Sequence, residues 1–363
     1  VAGPDPLQER LLALVARFDL SPELFSSALN RRFSPDQAER WNDVLVTARA
    51  ELVKEGDDLS DLVEFWSPDG FNENASLIEN LLYALPVEPV DDFAEYAKIK
   101  AVEAALDRGE ARALLEEIGW DIAREFAELV DAVEDDSIVL DSFSAYAKAE
   151  LQASAALIEE FGARGLGDVP TERRQLLLSL ALKFVPNRDR LEVLTPERTA
   201  DILAARGRLR PDLADRPEFV GFEEARFNPA QTISENLIHG SRRYDRKSAW
   251  KQLDDKIERT LTAMGLYPDL VRLGLDGPVG SGGSGLSASI KRRIALVRSV
   301  IKRPGLIVLD GVAGGDDAAD EAVRAALRAE LPDATLVYAA ASEKAGEGAD
   351  RILAIAENGT VAG

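Results

Sequence analysis

The strongest constraint on the fold is a segment that occurs twice. Residues 71–84 read FNENASLIENLLYA, and residues 227–240 read FNPAQTISENLIHG. The two align without gaps, sharing Phe-Asn at the start and Glu-Asn-Leu later, five identities in fourteen. Ser76 matches Thr232, and each stands three residues before a Glu, Glu79 and Glu235. That spacing is a capping box: the hydroxyl accepts from the third amide of a helix, and the Glu reaches back to the cap amide. Duplication is the preferred reading. Two helices that simply start the same way are the alternative.

The charge balance excludes several classes of function. Of 363 residues, 65 are Asp or Glu and 43 are Lys or Arg, a net charge of -22. Such a field repels phosphate backbones and anionic headgroups, so no nucleic acid is expected as a partner. There is no Cys, which removes disulfides and thiolate chemistry. His239 is the single His, so a multi-His metal site is not expected. No apolar run reaches the roughly 18 residues of a membrane span, and no signal peptide is legible. The first residue is Val1 instead of Met, so a fragment of something longer is expected.

Periodicity divides the chain. Residues 1–206 read as almost entirely helical, with Leu7, Leu11, Leu14, Val15 and Phe18 at helical spacing. Similar patterns run over Pro35–Val53, Phe93–Leu106, Ala111–Glu117, Ile122–Val133, Tyr146–Phe161 and Glu172–Phe184. Thr195-Pro196 opens a further helix as cap and first residue. The acidic clusters Asp91-Asp92 and Glu134-Asp135-Asp136 read as solvated turns. Residues 207–220 look like a connector, with Pro211 and Pro217 among many charges. A helical stretch is expected over Thr232–Leu266. The remainder has the rhythm of an α/β layer. A glycine-rich loop, Gly277–Gly285, precedes a basic helix from Ser287 to about Lys302. Leu306–Leu309 then suits a strand buried on both faces, as in a parallel sheet, ending in Asp310. A helix over Glu321–Glu330, strands over Thr335–Ala340 and Arg351–Ala356, and a hairpin turn at Asn358-Gly359 complete it. The expected class is α+β, mostly α.

The chemistry-bearing residues gather in that last part. Glycines let backbone amides approach an anion, and a helix start adds its positive end. A carboxylate such as Asp310 at the C-terminal end of a buried strand suits a metal or phosphate ligand. A flexible loop, a solvated helix face and a capping Asp account for the same residues without a ligand. The acid-rich stretch 310–321 lacks the ligand spacing of a Ca²⁺ loop. Trp41, Trp66, Trp120 and Trp250 read as core, with Trp66 partly exposed beside the turn Ser67–Gly70.

Gly283–Asp310, GSGLSASIKRRIALVRSVIKRPGLIVLD, resembles the signature-helix-to-Walker-B segment of ABC-type (ATP-binding cassette) nucleotide-binding domains. TLVYAAAS at 335–342 and ADRILAIAENGTVAG at 349–363 are similar to that family's switch strand and final hairpin. Residues 227–240 resemble the start of the helical subdomain after the Q-loop in exporter-type cassettes, and 71–84 would be a second such block. The resemblance implies a helical region over 1–206, the connector, and the helical subdomain with part of the α/β core of a degenerate cassette over 221–363. It implies a signature-like site at Gly285, Leu286, Ser287, Ala288 and Ser289, a Walker-B-like Asp310 that would hold Mg²⁺ through water, and a D-loop-like Asp317.

The departures carry as much weight. No GxxxxGK[ST] string, the phosphate-binding P-loop, occurs anywhere in the chain. Gly311 stands at the position of the catalytic Glu, Ala341 at the switch His, and no Gln occupies the Q-loop position near Phe222 and Glu223. Without the Glu no carboxylate activates water. Phosphoryl transfer rests almost wholly on positioning and charge stabilisation, so this chain alone is not expected to hydrolyse ATP. Two readings stay open. In one, the chain is a degenerate module that completes a composite ATP–Mg²⁺ site with another cassette or an upstream P-loop. It would then be coupled to transporter membrane domains at the cytoplasmic face. In the other, it is a non-catalytic regulatory or scaffold protein whose helical region binds a protein partner.

Overall fold

The computed structural model describes residues 6–54, 59–87, 93–132, 146–214, 216–277, 279–280, 283–309, 317–339, 349–355 and 361–362. In chain order the elements are α1 (Pro6–Arg17), α2 (Ser21–Leu29), α3 (Pro35–Lys54), β1 (Val63–Phe65), α4 (Leu77–Leu82), β2 (Ala84–Pro86), α5 (Lys100–Arg108) and α6 (Arg112–Ala132). There follow α7 (Lys148–Phe161), α8 (Thr171–Lys183), α9 (Pro186–Asp189), α10 (Pro196–Ala214), β3 (Phe219–Gly221), α11 (Ile233–Ile238), β4 (Gly240–Arg242), α12 (Trp250–Ala263) and α13 (Tyr267–Gly274). The last are α14 (Ala288–Val300), β5 (Leu306–Leu309), α15 (Asp317–Glu330), β6 (Thr335–Tyr338), β7 (Ala354–Ile355) and β8 (Val361–Ala362). The described residues are therefore mostly helical with a few short strands.

Several elements differ from the expected ones. Residues 112–132 form one helix where two were expected, because Gly119 does not interrupt it. The absent Cβ of Gly119 instead lets α8 approach closely; a methyl there would lie 2.0 Å from the Leu177 carbonyl oxygen. The expected connector is helix as far as Ala214, with Pro211 inside α10. The expected long helix after Thr232 is broken: α11 stops at Ile238, β4 and a 3₁₀ turn over Tyr244–Ala249 follow, and only then does α12 start. The turn clusters at 91–92, 134–136 and 358–359 lie outside the described residues.

Two compact units are present: residues 29–267, and residues 1–28 with 268–363. In the first, α6 is flanked by α7 and α8 around Leu115, Ile118, Ile122 and Phe126, all fully buried. This apolar cluster extends to α4, α5 and α10 through Leu77, Ile78, Leu106 and Leu209. At about 25 cal/mol per Å² of apolar surface, burial of such side chains is the main favourable contribution to folding.

In the second unit, β5 and β6 pair in parallel, from Leu306 with Thr335 to Leu309 with Tyr338. Pairing thus follows the expected α/β rhythm, but burial does not. Ile307 and Leu309 are buried while Leu306 and Val308 are 57% and 68% exposed. The strand is covered on one face, not on both. Arg10 and Arg17 of α1 both ion-pair with Glu330 at the end of α15, the second at 2.7 Å. β7 and β8 pair antiparallel.

Candidate functional site

The repeated segment builds an interlocked pair. Each copy is a strand, an Asn-bearing loop, a capped helix and a second strand: β1–α4–β2, then β3–α11–β4. Neither copy pairs its own strands. β1 runs antiparallel to β4, with Val63, Glu64 and Phe65 opposite Arg242, Ser241 and Gly240. β2 runs antiparallel to β3, with Ala84, Leu85 and Pro86 opposite Gly221, Val220 and Phe219. Adding 156 to a residue of the first copy gives its mate in the second, and the two registers are the same under that exchange. So are the flanking bonds. Trp66 N–H donates to His239 O at 3.1 Å and Phe222 N–H to Tyr83 O at 3.2 Å. Val87 N–H donates to Glu218 O and Arg243 N–H to Leu62 O, both at 2.9 Å. The pair is thus a pseudo-twofold within one chain, the arrangement that isologous contacts produce between two chains.

The identical residues have identical work. Ser76 and Thr232 cap α4 and α11, accepting from Glu79 N–H and Glu235 N–H, and each Glu accepts from the cap amide in return. Asn80 Oδ1 accepts from Asn72 N–H at 2.8 Å while its amide donates to Asn72 O at 2.8 Å. Asn236 does the same for Asn228, at 2.6 and 2.8 Å. Each loop is therefore tied to its own helix by a buried side-chain amide. Tyr83 and His239 end the helices in the left-handed region, at φ 48° and 45°. Trp66 and Phe222, mates under the exchange, stack with ring centroids 4.1 Å apart. Trp66 is buried instead of partly exposed, because this stack covers its face.

Two buried arginines hold the loops from outside the repeated segment. Arg206 of α10 donates Nε–H to Asn80 O at 2.5 Å and its other N–H groups to the Gly70, Pro68 and Ser67 carbonyls. Arg49 of α3 donates Nε–H to Asn236 O at 2.7 Å and its other N–H groups to the Glu224 and Arg226 carbonyls. Glu224 and Arg226 are the mates of Pro68 and Gly70. Each arginine serves the copy that follows or precedes it across the pair: α3 packs on α11, and α10 on α4. Burial lowers both guanidiniums to about 10, so both stay charged near neutrality. These arginines carry no sequence signal in the aligned fourteen residues. The hint outside it is that Ser34-Pro35 and Thr195-Pro196 start their helices alike.

A carboxyl and an imidazole in this pair also have displaced acidities. Glu79 is raised to about 7, first by burial, against the bonds from Ser76 and with a contribution from Glu235. His239 is lowered to about 4, first by burial and then by the Arg49 charge, so it is neutral at pH 7. It ends α11 as the residue after Ile238.

The glycine-rich loop belongs to the other unit. Gly280 and Gly283 both sit at φ 74°, which glycine adopts without strain. Gly283 N–H donates to Gly280 O, Leu286 N–H to Gly283 O, and Gly285 N–H to Val279 O, at 3.0–3.1 Å. Three amides of the loop are thereby used internally. Ser287 caps α14, its Oγ accepting from Ile290 N–H at 3.2 Å. Gly285, Ser287, Ala288 and Ser289 are exposed and Leu286 is half-buried. On the basic helix, Arg293 is held by Asp19 at 3.0 Å. Asp317 starts α15. Asp310, Gly311 and Ala341 lie outside the described residues. Among the described residues no group of three or more His, Cys, Asp or Glu side chains is placed to hold a metal ion. No helix among them is long and apolar enough to cross a membrane.

No protein-family model matches the chain, and no solved structure matches it. The chain is similar to ATP-binding cassette sub-family B member 6 of Homo sapiens, 31% identical over 127 residues. The matched part is 34% of this chain and 14% of that protein, so the chain spans about one seventh of that relative.

Proposed function

We propose that the chain is a degenerate ABC-type module that contributes a signature-like loop to a composite nucleotide site and does not hydrolyse ATP alone. The observation that carries this reading is the order Gly283–Ser287 loop, Ser287-capped α14, β5 parallel to β6, in a chain similar over 127 residues to an ATP-binding cassette protein. Gly285, Leu286, Ser287, Ala288 and Ser289 would face the phosphates held by another cassette. Ser287 keeps a hydroxyl proton to donate while its oxygen caps the helix. The N-terminal end of α14 adds favourable potential for an anion. The donor set fits one side of a nucleotide only: three loop amides are spent within the loop, and no P-loop lysine is present. The described residues offer no ligand set for Mg²⁺; Asp310 is the residue proposed to meet it through water, and ATP and Mg²⁺ would come with the partner cassette. Transporter membrane domains at the cytoplasmic face are the proposed setting.

Calorimetry tests the reading. The isolated chain is expected to bind MgATP weakly, in the millimolar range or beyond. With a partner cassette, Ser287→Arg is expected to lower nucleotide affinity in the assembly at least tenfold. Micromolar MgATP binding by the chain alone, or an assembly indifferent to Ser287→Arg, would overturn it.

A further inference from the structure

A cleft of about 1440 Å³ opens where β2 meets β3, between the start of α3 and the end of α10. It is larger than the roughly 300–1,000 Å³ of ordinary ligand pockets. Tyr83, Phe219, Phe222 and Phe227 contribute its aromatic lining, and the Phe222 ring is held by the Trp66 stack. Arg210, Arg216 and Arg226 contribute its charge.

Those three guanidiniums gather in one cleft without a carboxylate partner among the described residues. The chain has a net charge of -22, and some arginines of the same unit are paired: Arg198 meets Asp121 at 2.7 Å and Arg242 meets Asp254 at 2.6 Å. Arg210, Arg216 and Arg226 have no ion-pair partner among the described residues, and Arg210 lies over the Tyr83 ring at 5.7 Å. The mates of Arg216 and Arg226 are Ser60 and Gly70, so the repeat itself does not require these charges. Glu39 and Asp43 of α3 and Glu223 also line the cleft. They repel an anion, and so restrict an anionic head to the arginines and leave the aromatic lining for an uncharged body.

We propose that this cleft binds an amphipathic organic anion, with an apolar or aromatic body and one carboxylate, sulfonate or phosphate head. The head would sit among Arg210, Arg216 and Arg226, with the body on Tyr83 and Phe222. A planar fork suits such a head because it donates two parallel hydrogen bonds. The proposal is independent of the nucleotide reading, since it concerns the other unit and a different ligand.

The test uses two dyes of similar shape and different charge on the full chain. 8-Anilinonaphthalene-1-sulfonate carries a sulfonate; N-phenyl-1-naphthylamine is neutral. The intact chain is expected to bind the sulfonate saturably at one site. Arg210→Glu with Arg226→Glu is expected to weaken it at least tenfold while the neutral dye changes less than twofold. Both side chains are exposed, so the reversal spares the core. Ala225→Trp, at an exposed lining position, is expected to abolish binding of both dyes. Absence of saturable sulfonate binding would overturn the proposal. So would equal affinity in the charge-reversed chain, parallel loss of both dyes there, or indifference to Ala225→Trp.

Discussion

The most exacting test of the interlocked pair is removal of its arginine clamps. Arg206 gives five hydrogen bonds, to Asn80 O, Asn80 Oδ1, Gly70 O, Pro68 O and Ser67 O. Bonds from a charged donor contribute about 1.5–3 kcal/mol each before the burial cost of the ion is subtracted, and that cost is several kcal/mol. Arg206→Leu leaves buried carbonyls without donors, some of which water reaches, and the expected loss is about 3–4 kcal/mol. Arg49 gives three such bonds, so Arg49→Leu is expected to lose about 2–3 kcal/mol by the same reasoning. Urea unfolding followed by far-ultraviolet circular dichroism at pH 7.5 measures both. Arg206→Lys is expected to recover less than half, because an ammonium is a point donor without the fork. A loss below about 1 kcal/mol for Arg206→Leu would refute the clamp, since it is smaller than one unfilled buried carbonyl.

Other expectations follow from single residues. Gly119→Ala places a methyl 2.0 Å from the Leu177 carbonyl oxygen, a backbone atom that cannot swing away. A loss of about 2–3 kcal/mol is expected in the same urea assay. Thr232→Ala removes one capping hydroxyl and is expected to cost about 1 kcal/mol. Glu79 holds its proton more tightly folded than unfolded, so its contribution favours the fold at low pH. That contribution declines as pH rises from about 4.5 to about 7, where the carboxyl ionises in the folded state. The stability difference between the native chain and Glu79→Gln is expected to move by about 3 kcal/mol against the native chain across that window. A difference flat in pH would contradict it. His239 has the opposite sign: its neutral folded form resists protonation, so stability falls as pH drops from 6.5 towards 4. Asn tolerates the left-handed position, and His239→Asn is expected to remove that fall in acid melts.

The parts of the fold that repeat or recur with period 3.6 were legible. α3, α7, α8 and both capping boxes stand where spacing placed them, because a cap and an apolar stripe are local signals. The four strands of the pair were not legible. Three residues are too few to show alternation, and the partner of each strand lies in the other copy. The arginine clamps escaped for a related reason. Arg49 and Arg206 are 157 apart where the aligned blocks are 156 apart, and they sit on helices whose sequences do not align. In the candidate nucleotide site the start of the basic helix at Ser287 was legible; the structure adds that its hydroxyl caps α14, accepting from Ile290 N–H. The one-sided burial of β5 was not, because four apolar residues in a row look the same whether one face is covered or two.

The exchanged strands also set a schedule for synthesis. β1 can pair only once residues 240–242 exist, and α4 meets its arginine only when α10 has been made. At roughly 5–20 residues per second, a ribosome takes roughly 9–35 s to travel from β1 to β4 and roughly 6–25 s from Asn80 to Arg206. For that interval the first copy emerges with its strand edges unpaired, while α6, α7 and α8 already have one another to pack against. The helical layer between the copies is thus the part able to gather first, and the second copy closes the first.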